Sequence, residues 1–144
     1  MKNIIESLTR FFNPPKTKTI LVIDDSDVDR TFAVRVLAKR YHVLSASGAK
    51  EGLEMAYKAR PDLILLDYLM PEMNGPEVCR ILKQDYGMNE TPVVFLTGMD
   101  TPQTVIDSLE QGAEAYLIKP IGMRDLLQEI HLRLQPMVCT GKDR

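Results

Sequence analysis

Five polar residues, Asp24, Asp25, Asp67, Thr97 and Lys119, stand at spacings that suit phosphoryl chemistry. Each group follows directly on a short apolar run, at 20–23, 63–66, 93–96 and 115–118. Three carboxylates gathered in one crevice repel one another unless a cation lies between them. An all-oxygen donor set with room for water suits Mg²⁺. A carboxylate is also a nucleophile, and attack on a phosphoryl donor gives a mixed anhydride. Lys119 offers a mobile positive charge and Thr97 a hydroxyl donor. Such a set supplies a nucleophile, a metal site and donors for the phosphoryl oxygens. Alone, Asp24 or Asp67 would read as an ordinary turn carboxylate. Their joint placement is what argues for chemistry.

Regular elements must bring these residues together. The run 20–23 reads as a strand, followed by a helix to about residue 40, capped by Ser26 or a neighbouring Asp, with Val28, Phe32, Val34, Val36 and Leu37 as its apolar positions. A strand at 42–46 and a helix from Ser47-Gly48 to about residue 60 follow, the latter burying Leu53, Met55 and Ala56 and ended by Pro61. Gly52 inside that helix is expected to cost local stability, about 1 kcal/mol at most. Residues 63–66 are continuously apolar, as strands covered on both faces are. After a loop at 70–75, Pro76 opens a helix to about residue 86. A strand at 93–96 leads to Thr97, and Thr101-Pro102 reads as cap and first turn of a helix ending near Gly112. A strand at 115–118 and an amphipathic helix at 121–134 complete the pattern. Strands joined by single helices imply right-handed crossovers, and so an α/β fold with a five-stranded parallel sheet, doubly wound. Sites in such sheets form at the strand carboxyl ends, where all five polar residues fall.

At this point a resemblance becomes specific. The segments Ile23-Asp24-Asp25-Ser26, Leu65-Leu66-Asp67 through Asn74-Gly75, Val94-Phe95-Leu96-Thr97-Gly98, and Gly112-Ala113 through Lys119-Pro120 resemble the receiver domain of two-component response regulators, a (βα)5 flavodoxin-like fold. The resemblance extends over about 19–135. It implies that Asp67 is the phosphoacceptor and that Asp25, Asp24, Asp67 and the backbone carbonyl of Leu69 bind Mg²⁺. It implies that Lys119 and Thr97 contact the phosphoryl group, that Thr97 and Tyr116 act as the switch, and that Lys119-Pro120 is a cis bond. The implied function is that of a single-domain response regulator. It would take its phosphoryl group from a histidine kinase or phosphotransfer protein and signal by conformational change to a protein partner. Output would pass through the face of the fourth helix, fifth strand and fifth helix, where Gln103, Asp107, Glu110, Gln111 and Arg124 are candidates. The alternative is a receiver-like scaffold acting without phosphorylation through an N-terminal helix in residues 1–18. Leu69 and Met99, apolar beside the site, are expected to hinder water and lengthen the life of the acyl phosphate.

Composition and motif exclude other classes. The 144 residues are 44% hydrophobic and 26% charged with net charge -2, an ordinary globular balance with no basic cluster for nucleic acid. No apolar run approaches the roughly 20 residues of a membrane span, and no signal peptide is evident, so a cytoplasmic location is expected. Cys79 and Cys139 lack metal-type spacing. A haloacid-dehalogenase-like phosphatase needs an Asp two positions after its nucleophile, where Leu69 stands; a turnover enzyme is therefore not expected. A flavin or nucleotide site needs a Gly-rich loop after the first strand, where Asp24-Asp25 stands. Residues 1–18 read as an extra N-terminal helix and linker: Ile4, Ile5, Leu8, Phe11 and Phe12 share one face, and Pro14-Pro15 stops it. Self-association as a homodimer, or a partner contact, is expected there. Residues 136–144 read as a tail.

Overall fold

The computed structural model describes residues 18–135. The expected N-terminal helix and the tail lie outside the described residues. The chain alternates β1 (Thr19–Ile23), α1 (Asp27–Leu37), β2 (His42–Ala46), α2 (Ala49–Ala59), β3 (Leu63–Leu66), α3 (Gly75–Gln84), β4 (Val93–Thr97), α4 (Pro102–Glu110), β5 (Ala115–Ile118) and α5 (Met123–Leu134). The strands form one parallel sheet in the order β2-β1-β3-β4-β5. This is the doubly wound, flavodoxin-like arrangement that the alternation predicts.

Strand side chains alternate between two apolar layers. Leu21, Ile23, Ile64, Leu66, Val93 and Phe95 pack with Ala49 and Ala56 of α2 and Val78, Cys79 and Leu82 of α3. Ile20, Val22, Leu63, Leu65, Val94 and Leu96 pack on the other face with Ala33, Val36 and Leu37 of α1 and Leu126 and Ile130 of α5. β1, β3 and β4 are therefore covered on both sides, which explains their unbroken apolar sequences. β2 forms an edge, and only Ala46 of its residues is fully buried.

Register fixes the site. Ile23 pairs with Leu66, so Asp24 and Asp67 emerge side by side. Leu66 pairs with Phe95, and Thr97 with Ile118, which places Thr97 and Lys119 on the same edge. The ladder carries past the strand ends: Asp24 N donates to Ala46 O (3.1 Å), Asp67 N to Ile23 O (2.9 Å) and Lys119 N to Thr97 O (2.8 Å).

Three details differ from the sequence reading. In α1 the buried positions are Ala33, Val36 and Leu37, while Val28 is 79% and Phe32 40% exposed. Val28 lies about 180° around the helix from Leu37 at about 100° per residue, so it cannot share its face. α3 starts one residue early, at Gly75 with Pro76 next, and α5 starts at Met123 after Gly122. Gly52 is not merely tolerated. A Cβ there would lie 2.6 Å from Ile23 Cδ1, so its absence is what lets α2 seat against β1.

Candidate functional site

The carboxyl edge of β1 and β3 holds the carboxylates. One carboxylate oxygen from each of Asp24, Asp25 and Asp67 lies within 4.8 Å of the others, with Asp24 and Asp67 buried and Asp25 exposed. Asp24 Oδ1 accepts from Ser26 N (2.9 Å), which holds it as the chain turns into α1. The Ser26 hydroxyl in turn caps that helix by accepting from Asp29 N (3.2 Å). Asp67 Oδ1 accepts from Tyr68 N (2.9 Å).

Gly75 closes the loop that follows Asp67. Its N–H donates to Tyr68 O (2.6 Å). A Cβ there would run into the Asp67 carbonyl and the Phe95 ring, so only glycine lets α3 begin this close to the Asp67 backbone. Asn74 Oδ1 accepts from Met70 N (3.4 Å) inside the same loop, where Glu72 takes a left-handed φ of 70°.

Lys119 reaches in from the end of β5. Its Nζ lies 2.9 Å from Asp24 Oδ2, 2.8 Å from Asp29 Oδ2 and 3.8 Å from Asp67 Oδ1. The Lys119-Pro120 bond is cis, as the resemblance implies. Thr97 is buried, and its Oγ1 accepts from Met99 N (3.2 Å). Tyr116 is half-buried, its ring 5.8 Å from that of Phe95. Its hydroxyl donates to the Met99 carbonyl and lies 3.4 Å from Thr104 Oγ1.

Electrostatics follow from this packing. Burial, then the neighbouring Asp24 charge, push the Asp67 carboxyl up to about 6, against the pull of Lys119, the Thr97 hydroxyl and the Tyr68 N–H. Burial disfavours the Lys119 ammonium, but hydrogen bonds to Asp29 and Asp24 and the Asp67 charge outweigh it and hold the group above the usual lysine value. Cys79 is a different case: it is fully buried, burial raises its thiol to about 11, and its Sγ donates to Gln111 O (3.4 Å).

The structure brings Asp24, Asp25, Asp67 and Lys119 together in one crevice, sets Thr97 at the end of β4, and places Tyr116 against Phe95 with its hydroxyl at Met99. For Leu69 the structure shows an exposed side chain, 54% accessible. Two features escaped the sequence reading. Asp29 shares Lys119 with Asp24, and a cap at Ser26 already puts Asp29 in the first helical turn beside the site. Ile106 and Leu109 of α4, Ile118 of β5 and Met123 of α5 are exposed apolar residues on the elements expected to carry output. Gln103, Glu110 and Arg124 are exposed there too, with Asp107 and Gln111 half-buried. Among the described residues, no helix is long and apolar enough to cross a membrane.

Comparison with known proteins agrees with this geometry. The family model for the response regulator receiver domain matches residues 20–131. A probable cyclic di-GMP phosphodiesterase of Vibrio cholerae is 38% identical over 117 residues, which are 81% of this chain but 26% of that protein. The chain thus spans about a quarter of the length of that relative. The two-component response regulator ORR3 of Oryza sativa is 35% identical over 115 residues, 78% of this chain and 88% of that protein. Among solved structures, the chemotaxis protein CheY4 of Vibrio cholerae superposes with a TM-score of 0.79 at 30% identity, covering 82% of this chain and 99% of that one. A match across most of the described sheet, together with the carboxylates, hydroxyl and lysine gathered at its edge, places this chain in the response regulator receiver domain family, a family of signalling domains.

Proposed function

We propose that this chain accepts a phosphoryl group on Asp67 from a phosphohistidine donor, a histidine kinase or phosphotransfer protein, and signals the change to a protein partner. The observation that carries this is the convergence of three carboxylates within 4.8 Å, with one lysine paired among them. The donor set is all oxygen, partly open to solvent through Asp25, and negatively charged beyond what Lys119 neutralises. That fits Mg²⁺ better than a softer ion. Asp24, Asp25, Asp67 and the Leu69 carbonyl would hold it. When bound, the ion supplies charge neutralisation between the carboxylates and the phosphoryl oxygens.

The chain's own residues do the rest. An Asp67 carboxylate oxygen attacks phosphorus, and the bond from phosphorus to the donor nitrogen breaks with its electron pair leaving on the imidazole. Asp67 must be ionised to attack, and the metal and Lys119 charges favour that form. Lys119 shifts from carboxylate to phosphoryl oxygen, and the Thr97 hydroxyl turns to another. Since the Thr97 hydroxyl now accepts from Met99 N, that turn loosens the β4–α4 loop, whose Met99 carbonyl holds the Tyr116 hydroxyl. The signal thereby passes to the face of α4, β5 and α5, where a partner docks. The reading implies a cytoplasmic setting.

Acetyl phosphate with Mg²⁺, followed by intact mass, tests this on wild type and Asp67→Asn. One phosphoryl adduct that needs Mg²⁺ and is lost in the variant is expected. Absence of an adduct on wild type would point instead to a scaffold acting without phosphorylation.

A further inference from the structure

Lys119 is one ammonium with two close carboxylate partners and a third, longer ion pair. Its Nζ is 2.8 Å from Asp29 Oδ2 and 2.9 Å from Asp24 Oδ2, but 3.8 Å from Asp67 Oδ1. Asp29 lies outside the trio of carboxylates that converge within 4.8 Å. Its place is set by backbone, because its N–H is the group that the Ser26 cap receives. The adjacent cation, Arg30, is turned to Asp24 O (2.8 Å) and to Asp27, so it does not compete with Lys119 for Asp29.

We propose that Asp29 is a positioning residue for Lys119: it draws the ammonium outward and keeps it from settling between Asp24 and Asp67, the space a divalent cation must enter. The inference rests on reading the carboxylate trio as a Mg²⁺ site. An ammonium lodged between two buried carboxylates is an internal counter-ion, and a metal must displace it from both. With Asp29 as an alternative partner, Lys119 already stands off Asp67, and the metal meets that carboxylate without a close competitor. The Asp29 side chain is 43% exposed, so the pair is partly screened and the effect is a tuning one.

Calorimetric titration of Mg²⁺ into the full chain, at about 0.15 M salt to screen long-range charge effects, tests this. Asp29→Asn keeps the shape and removes the charge. It should weaken Mg²⁺ binding roughly two- to fivefold, and Asp29→Glu should restore it. In a Lys119→Met background, Asp29→Asn should cause no further change, because the ammonium it positions is gone. Unchanged affinity in Asp29→Asn overturns the proposal. So does an equal loss in the Lys119→Met background, which would make Asp29 a simple through-space charge. Failure of the wild-type chain to bind Mg²⁺ overturns the metal reading itself, and with it this inference.

Discussion

β1 and β3 are walled by carbon on both faces, whereas β5 is half-open and the helix before it is seated on hydroxyls. The residues of α3 that face the sheet include Val78, Cys79 and Leu82; those that α4 buries are Thr104 and Ser108. Thr104 Oγ1 donates to Thr101 O (2.7 Å) and Ser108 Oγ to Thr104 O (2.8 Å), so both hydroxyls are satisfied within their own helix. They avoid the penalty of burial, and the link of α4 to the sheet through them is the long 3.4 Å approach of the Tyr116 hydroxyl to Thr104 Oγ1. The three carboxylates stand on the well-packed side. Thr97 is the buried last residue of β4, and half-buried Tyr116 joins the two sides, its ring on Phe95 and its hydroxyl toward α4. On the proposed function, the well-packed half would hold Asp67 in place, and the other would change its seat at little cost when Thr97 turns. A switch needs both: a rigid frame to make the bond and a low-cost element to report it.

Truncation to alanine separates the two sides most directly. Leu66→Ala, in the layer under α2 and α3, should cost about 3–5 kcal/mol. Ile106→Ala, on the exposed side of α4, should cost no more than about 0.5 kcal/mol. Denaturant unfolding measures both. Native-state hydrogen exchange should show α4 amides opening at lower free energy than those of α3. Equal protection of the two helices would remove the distinction.

The next largest effect separates stability from chemistry within the rigid half. Burial and Asp24 raise the Asp67 carboxyl to about 6, so between roughly pH 4 and that value the folded state binds more protons than the unfolded. Stability from this group is therefore fully present below the unfolded value and is lost as pH rises through about 6. Without metal, Asp67→Asn should be more stable than wild type at pH 7.5 by about 1–2 kcal/mol, after discounting for solvent screening. The gap should close as pH falls to 4. Thermal unfolding in chelator at the two pH values reads it directly. Mg²⁺ added at neutral pH should raise the wild-type melting temperature more than that of the variant.

The strands and the helix starts were the legible parts, in both halves. The runs at Ile20 to Ile23 and Leu63 to Leu66 are apolar at every position because both faces are covered, and each stops at the carboxylate it presents. Ser26 and Thr101 mark helix starts by a local rule that needs no tertiary context. What stayed hidden depends on contacts across the chain. Gly52 looked like a weakness until Ile23 was seen beneath it, and the pairing of Asp29 with Lys119 joins residues 90 positions apart. Val28 and Phe32 misled because composition names an apolar residue without saying which way the helix turns it.

The smallest expected effect lies at the mouth of the site. Leu69, 54% exposed, stands two residues after Asp67, and half-buried Met99 two residues after Thr97. Hydrolysis of the acyl phosphate needs a water opposite the bond between Asp67 and phosphorus. An apolar side chain on that approach offers the water no hydrogen-bond partner, whereas an amide would hold and orient it. Leu69→Asn should therefore speed loss of the phosphoryl group, by about tenfold for about 1.4 kcal/mol of better water placement, while leaving the fold unchanged because the side chain is largely solvent-facing. Intact mass followed over time after removal of acetyl phosphate measures the decay. An unchanged rate would overturn the idea that apolar side chains at the mouth of the site shield the acyl phosphate from water.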